Sequence, residues 1–427
     1  MGTPPVGSSP QAAIVTVGDE LLLGDTVDTN AAWLGRYLAG LGIPVARRFT
    51  VGDVREHIQV AVSAATDVAD LVLVSGGLGP TPDDITREAV AGLLGLATRE
   101  DPELVEALRA RFRAFGIGEF PESNRAQAMV PDGARVLDNP RGSAPGLAMT
   151  RGDTLIVLLP GVPRELRSIM EGSFRAALGD WLPRSLDPVG MRTLHTTGIA
   201  ESVLSERVAN HLAGYTGPVT MAFLPDLRGV DIRLTVTGLP PEDAERSLDE
   251  AERLLSPAVD RWRFISEGGD LGEAVIAELE RLGLDLAVAE SCTGGLIQKR
   301  LTDLPGASRV FMGGVVAYAD SVKAGLLGVP ADLVGTHGAV SQEVALAMAR
   351  GVRDRLGTRA GIGITGVAGP GGGSEEKPVG TVWYAAVADG RHVVTMGLFP
   401  GDREAVRERA AQAAMAQLFR LLRSPEE

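Results

Sequence analysis

"DLVLVSGGLGPTPDDITREA", residues 70–89, begins with a strand whose apolar run from Leu71 to Val74 is unbroken by any polar residue. Such a run is apolar on both faces, as in the strands of parallel sheets. The glycines Gly76, Gly77 and Gly79 follow where the strand ends. Upstream, "AAIVTVG" (12–18) has the same form, and a helix with Ala31, Leu34, Leu38 and Leu41 on one face leads to "IPVARRF" (43–49). A second helix carrying Ile58, Val62 and Ala65 then returns to the strand at Leu71. Strands alternating with helices in this way predict a doubly wound parallel sheet that binds ligands beyond the carboxyl ends of its strands. "VGDELLLGDT" (17–26) and "SGGLGPTPDD" (75–84) lie at two such ends, and "DTLIVLLPGVPREL" (153–166) closes the unit, giving a domain over residues 12–176.

Residues 177–260 read differently. In "VDIRLTVTG", Val230, Ile232, Leu234 and Val236 alternate with polar residues, the pattern of a strand with one wet face. A small α+β module follows from it, with "PEDAERSLDEAERLL" as a solvated acidic helix. The stretch 181–258 carries seven Lys/Arg against eleven Asp/Glu. Its Gly214-Tyr-Thr-Gly217 has the form of a nucleic-acid-binding loop but no flanking cation, and reads as a turn. From residue 261 to 427 a second α/β domain runs through the strands "LDLAVAES" (284–291), "VFMGGVVAYA" (310–319), "AGIGITG" (360–366), "TVWYAAV" (381–387) and "HVVTMGLF" (392–399). The predicted architecture is two three-layer α/β domains with mostly parallel sheets, joined by the small module. Residues 1–11 read as a disordered leader without the marks of a signal peptide.

The single cysteine among 427 residues forms no internal disulfide, which fits a reducing compartment, and a cytoplasmic protein is expected. No apolar stretch reaches the roughly 20 residues needed to span a bilayer. The net charge of −14 opposes binding to nucleic acid or anionic lipid.

In "AESCTGGLI" (289–297), Ser291 leaves a buried strand and "TGGLIQKRL" starts a helix, so N–H groups of its first turn could serve as an oxyanion hole. The same residues also read as a cap, with Ser291 or Thr293 closing the helix start. Gly294 and Gly295 would allow substrate close to the backbone. A base for Ser291 is available in Lys323, after the next strand; a lysine shielded from water can take a proton, as in serine–lysine variants of the catalytic triad. Tyr318 could orient that lysine or donate to substrate. As an alternative, Lys323 is an ordinary exposed helix lysine. Cys292 is a rival nucleophile with His337 or His392 as partner, or a buried small hydrophobe.

"GIGITGVAGPGGGSEEKPVG" (361–380) contains Gly361-x-Gly363-x-x-Gly366, whose glycines fall inside a strand, so the dinucleotide fingerprint is not met. The loop after it could hold a phosphate with Lys377 nearby, or be a flexible turn. In the N-terminal domain, Gly76, Gly77 and Gly79 can receive a phosphate or pterin. Asp83 and Asp84, with Asp19 and Glu20 from the neighbouring strand end, could hold a divalent cation such as Mg or a transition metal such as Co. Thr81-x-x-Asp84 with Pro82 also reads as a helix capping box.

Taken together, "AESCTGGLI", "GVVAYADSVKAGLLGV", "THGAVSQEVALAMARG" and "GITGVAGPGGGSEEKPVGTVWYA" resemble the C-terminal, nicotinamide mononucleotide deamidase (PncC-type) domain of the CinA family. "VGDELLLGDTVDTNAAWL", "SGGLGPTPDDITREAV", "NPRGSAPGLAM" and "LLPGVPRELRSIM" resemble its N-terminal domain, which shares the molybdopterin-binding fold of the MoaB and MogA proteins. A KH-like domain lies between the two in that family. The resemblance implies two activities: deamidation of nicotinamide mononucleotide with no cofactor, and metal-dependent hydrolysis of ADP-ribose. It implies catalysis by Ser291 and Lys323 with Tyr318 close by, and substrate binding by Thr293, Gly294, Gly295, Thr365, Gly366, Gly369, Gly371 and Gly372. It also implies a functional Asp84. Leu78 stands where pterin-binding relatives have threonine. A homodimer acting on small nucleotides is expected. The alternatives are an N-terminal domain that binds a nucleotide or pterin without turnover, and a competence or DNA-damage adaptor.

Overall fold

The computed structural model describes residues 10–114, 116, 120–182 and 189–424. Most of the leader thus lies outside the described residues. Two compact units result, one of residues 1–190 with 236–245, the other of 191–235 with 246–427.

The strands of the first unit are β1 (Ala12–Val17), β2 (Val45–Val51), β3 (Leu71–Ser75), β4 (Thr98–Glu100), β5 (Met129–Pro131), β6 (Arg135–Leu137), β7 (Gly146–Arg151) and β8 (Thr154–Leu159). Six of them form a sheet in the order β2-β1-β3-β8-β7-β6, and β4 pairs with β5 apart from it. The four strands β2, β1, β3 and β8 run parallel, while β7 and β6 join antiparallel. Every residue of β1 and β3 is buried. The reason is side-chain alternation: Ile14, Leu73 and Val157 enter one apolar core, and Val15, Val74 and Ile156 enter another on the opposite face. A strand that feeds two cores can carry no polar face, and this is why "LVLV" reads as continuous.

In the module, β9 (Gly190–Thr196), β10 (Thr220–Pro225), β11 (Val230–Val236) and β12 (Arg263–Phe264) take the order β10-β11-β9-β12. Val230, Ile232, Leu234 and Val236 are buried, as their alternation predicts. Gly214 lies in a turn with φ 91°. The helix Pro241–Val259 is less solvated than predicted, because Ala244, Leu248, Ala251 and Leu255 form a buried stripe at helical spacing.

The C-terminal sheet contains β13 (Leu286–Glu290), β14 (Phe311–Val316), β15 (Ala360–Gly366), β16 (Thr381–Ala388) and β17 (Arg391–Leu398) in the order β14-β13-β15-β16-β17. β14, β13 and β15 are parallel, whereas β16 and β17 are antiparallel. Leu286 and Val288 face the core that includes the helices Leu271–Leu282 and Arg403–Arg423; Ala287 and Ala289 face the helix Gln342–Leu356. That helix packs very close. A methyl group at Gly363 would sit 2.3 Å from the Ala345 carbonyl oxygen. Gly361 and Gly363 of the apparent nucleotide fingerprint are therefore spent on helix–strand contact, and Gly366 on close approach to β16. Among the described residues no helix is long and apolar enough to cross a membrane.

Candidate functional sites at two strand ends

In the C-terminal domain, β13 and β14 are neighbours, with Glu290 opposite Val316 and the Ala317 N–H donating to the Glu290 carbonyl at 2.7 Å. The two strands thus deliver Ser291 and Tyr318 side by side. Ser291 is 7 % exposed; its N–H donates to the Ile364 carbonyl at 3.0 Å, and its hydroxyl has no hydrogen-bond partner among the described residues. Lys323, far from being a surface lysine, is 2 % exposed. Its Nζ donates to the Tyr318 carbonyl at 3.3 Å and to Asp320 Oδ1 at 3.0 Å. No direct Ser291–Lys323 hydrogen bond is formed among these contacts. Tyr318 holds the lysine through its backbone, and its half-exposed hydroxyl turns instead to Arg403 Nη2 at 3.2 Å. Tyr318 thus orients the lysine by its carbonyl and not by its hydroxyl.

The turn between Ser291 and the next helix also differs from expectation. Residues 291–295 form turns, Gly294 and Gly295 take φ of 60° and 91°, and the helix begins only at Leu296. These left-handed conformations suit glycine. The fully buried Glu290 carboxylate folds back and accepts the N–H groups of Gly295 at 3.1 Å, Ile297 at 3.2 Å and Gln298 at 3.0 Å. The Gly294 and Leu296 N–H groups are taken by the Ser291 and Thr293 carbonyls. The helix-start donors expected for an oxyanion are consumed internally. Among the described residues, the N–H groups of Cys292 and Thr293 are the ones in this turn left without a backbone or carboxylate acceptor, and both lie against the Cys292 sulfur, from which they would have to turn to meet a ligand. Neither Ser291 nor Thr293 caps the helix with its side chain.

Thr293 is fully buried, with a hydroxyl that has no partner, and its carbonyl accepts from Arg407 Nη2 at 2.7 Å. Thr365 is also buried, and its hydroxyl donates to the Ala339 carbonyl at 2.8 Å, so it secures a loop instead of offering a donor to substrate. Gly366 ends β15; the Gly369 carbonyl accepts from Arg403 Nη1 at 2.6 Å, and Gly371 and Gly372 are exposed in the loop beyond. Lys377 Nζ is tied to the His337 carbonyl at 3.0 Å. Cys292 is 6 % exposed in the apolar core, and burial pushes its thiol up to about 12. His337 pairs with Glu343 at 3.6 Å and His392 is exposed on β17, so neither serves the cysteine. Sequence reasoning missed Glu290, Arg403 and Arg407. Arg407 reaches the turn from a helix 114 residues further on, and Arg403 of the same helix reaches Tyr318 and Gly369; no local motif announces either.

In the N-terminal domain, Gly76, Gly77, Gly79, Asp83 and Asp84 line a cleft of about 420 Å³ together with Glu20, Asp53, Gln127 and Glu165. Five carboxylates and no Lys or Arg line it. Asn30 ties its floor, donating to Ser75 Oγ at 3.1 Å and to the Gly161 carbonyl at 2.7 Å. The buried Arg87 donates to the Leu78 carbonyl at 3.4 Å and to the Ala126 carbonyl, which fixes Gln127 beside the glycine loop. Gln127 is 2 % exposed and its Oε1 has no partner. Burial raises the Asp53 carboxyl above its ordinary range, and Asp19, Glu20 and Asp83 push it the same way.

Two expectations are corrected here. Thr81 and Asp84 do bond, with the Thr81 N–H at 2.8 Å from Asp84 Oδ2 and the hydroxyl on the same oxygen, but they close a turn; the helix starts later, at Thr86. Asp19, Asp83 and Asp84 are not gathered as metal ligands. Asp19 exchanges backbone contacts with Asp53, accepting its N–H at 3.2 Å, and Asp84 is turned onto Thr81. Among the described residues no three His, Cys, Asp or Glu side chains converge on a metal position.

Two layered α/β domains, each with a loop site at the ends of its parallel strands, and an α+β module between them define a three-part α/β protein with enzyme-like clefts. Residues 13–180 match the probable molybdopterin binding domain, 191–264 the damage-inducible protein CinA KH domain and 269–422 the CinA C-terminal domain. A CinA-like protein of Gemmatimonas aurantiaca is 48 % identical over 95 % of this chain and 95 % of its own length. A putative competence-damage inducible protein of Symbiobacterium thermophilum is 42 % identical over 96 % of this chain and 98 % of its own. A crystal structure of CinA from Thermoplasma acidophilum, described as of unknown function, is 36 % identical, covering 40 % of this chain and 98 % of that one at a TM-score of 0.37. The chain belongs to the CinA family.

Proposed function

We propose that the C-terminal domain hydrolyses the carboxamide of nicotinamide mononucleotide to nicotinic acid mononucleotide and ammonia. The observation that carries this reading is Ser291 at the exit of β13, 7 % exposed and with no hydrogen-bond partner for its hydroxyl among the described residues, next to the strand that leads to the buried Lys323. Ser291 Oγ attacks the carboxamide carbon while the Lys323 amine, in its neutral form and released from both Asp320 and the Tyr318 carbonyl, takes its proton directly or through one water. Catalytic hydrogen bonds often close only in the substrate complex. The Cys292 and Thr293 N–H groups receive the oxyanion, each such donor contributing on the order of 3 kcal/mol. Lys323 returns the proton to the departing nitrogen, and water then cleaves the acyl-enzyme by losing its proton to the same amine, which passes it on to the departing Ser291 Oγ. Arg403 and Arg407 bring positive charge to the rim of the turn, where the nucleotide phosphate would be received. The test is ammonia release from nicotinamide mononucleotide by the full-length protein and by Ser291→Ala; equal rates would refute the reading.

For the N-terminal cleft we propose a nucleotide-diphosphate site whose ligand is ADP-ribose, with phosphates on the Gly76–Gly79 loop and a neutral donor of the ligand on Gln127 Oε1. The acidic lining means that such an anion must enter with its charge neutralised. The carboxylates do not form a ready ligand set for a metal ion, so no hydrolytic step is assigned through one. Calorimetric titration of ADP-ribose into wild type and Gln127→Leu tests the site: absent binding in wild type removes the nucleotide reading, while equal binding by both removes the role of Gln127 alone.

A further inference from the structure

The unit that holds the Ser291 turn also encloses a cavity of about 940 Å³, larger than the N-terminal cleft and within the range of sites that bury compact organic ligands. One wall is made by the KH-domain loops 197–201 and 225–230, the other by β16, β17 and the outer length of the helix Arg403–Arg423. The walls are fastened to each other. Gln412 Nε2 donates to Thr197 Oγ1 at 3.1 Å, Arg420 Nη2 to the Thr197 carbonyl at 2.9 Å, and Arg228 pairs with Asp270 at 3.1 Å and Glu408 at 3.4 Å. The space is therefore a gap between held surfaces, and none of its lining residues belongs to the Ser291 turn.

Its chemistry is two-sided. Phe399, Val393, Leu421 and Ala413 supply apolar wall, and Leu398 is left 61 % exposed there. Arg409 and Arg420 supply charge: each donates to a backbone carbonyl, of Pro400 and Thr197 respectively, and among the described residues neither has a carboxylate partner. The two lie about 16 Å apart along the helix, so each is separate; in a chain of net charge −14, Arg409, left without a carboxylate beside the apolar wall of Leu398 and Phe399, is an unspent anion site. The carboxylates nearest in the lining are Glu201 and Asp226, and Asp226 is already occupied by the N–H groups of Arg228 and Gly229. Gln417 spends its Nε2 on the Tyr384 and Val393 carbonyls, leaving its amide oxygen without a donor among the described residues.

We propose that this cavity is a second small-molecule site, for a ligand that joins an aromatic or branched apolar body to one anionic group. The body lies on Phe399 and Ala413, the anion meets Arg409 near the start of the helix, and an N–H or O–H of the ligand reaches toward Gln417. Occupancy is independent of the chemistry at Ser291.

The probe is 8-anilinonaphthalene-1-sulfonate, itself an aromatic body with one sulfonate, titrated into the full-length protein and followed by its emission. Saturable binding of one probe per chain is expected, undisplaced by nicotinamide mononucleotide. Arg409→Glu, which reverses one charge, and Ala413→Trp, which fills the cavity from a partly exposed position, should each weaken it about tenfold or more. Thermal unfolding monitors the fold of both variants; if Ala413→Trp does not fold, Arg409→Glu decides. Probe binding that is unchanged in the folded variants, or displaced by nicotinamide mononucleotide, overturns the proposal.

Discussion

The two domains place a carboxylate and a glycine pair at the end of a central parallel strand, yet they use them in opposite directions. After β13, Glu290 folds inward, is fully buried and binds three backbone N–H groups, while the charges that approach the turn are the arginines Arg403 and Arg407. After β3, the carboxylates Asp83 and Asp84 stay at the mouth of a cleft that has no cation in its lining. One strand end thus has arginines close to a serine hydroxyl that is without a partner among the described residues. The other repels a bare anion. The same local fold therefore does not define a shared chemistry; the direction of one carboxylate and the sign of the charges brought from elsewhere do.

The largest effect should come from removing the nucleophile. Ser291→Ala is expected to lower ammonia release about a thousandfold or more, with Lys323→Ala losing about a hundredfold to ten-thousandfold, both measured as kcat on nicotinamide mononucleotide. Neither variant should change ADP-ribose binding in the other domain. A Lys323→Ala enzyme at wild-type rate would mean that the buried lysine is structural.

Breaking the carboxylates separates the two ends by stability. Glu290→Ala leaves three N–H groups of a buried turn without an acceptor, and an expected loss of about 2–5 kcal/mol should be read from denaturant unfolding. Glu290→Gln keeps one acceptor oxygen and should recover much of it. Asp84→Ala opens a turn at the surface, and about 1 kcal/mol is expected from the same measurement. Equal losses at the two positions would erase the distinction between inward and outward carboxylates.

The charge difference gives a pH and cation test. Asp53 is raised by burial and by Asp19, Glu20 and Asp83, so it takes a proton at a higher pH than an ordinary aspartate. Protonation removes one negative charge, so ADP-ribose binding without divalent cation should strengthen on acidification. Adding a divalent cation at neutral pH should strengthen it as well, and a chelator should reverse that gain without affecting deamidation. Calorimetry in the two buffers checks both. Binding that weakens on acidification would place the ligand away from these carboxylates.

Strand ends, layers and the candidate serine were legible in sequence because they rest on local signals. The unbroken run at Leu71–Val74, the alternation at Val230–Val236 and glycines after buried strands each reflect the environment of a single segment. The burial of Lys323 was not legible: its sequence neighbours, Val322 and Ala324, are common on exposed and buried helices alike, and only packing against the helix Gln342–Leu356 side of the sheet decides. Glu290 was hidden for a different reason. A glutamate in an otherwise apolar strand looks like an error in the pattern until the turn that follows supplies three donors for it. The contacts of Asp83 and Asp84 were hidden as well, since their proximity in sequence says nothing about whether neighbouring hydroxyls and N–H groups have already engaged them.

Cys292 offers the smallest expected effect and the finest test of the C-terminal end. Its thiol stays protonated well above neutral pH because burial pushes it up to about 12, and Glu290 adds in the same direction. A nucleophilic thiol requires the thiolate, so this environment works against reactivity. In the folded protein at pH 8 a disulfide reagent should label it hardly at all, and one thiol should appear on unfolding. Cys292→Ala removes a sulfur from the apolar core and should cost about 1 kcal/mol of stability while retaining most deamidation. The N–H that this residue contributes to the oxyanion belongs to the backbone and survives the substitution. If Cys292→Ala instead abolishes turnover while Ser291→Ala preserves it, the nucleophile sits one residue further along the same turn.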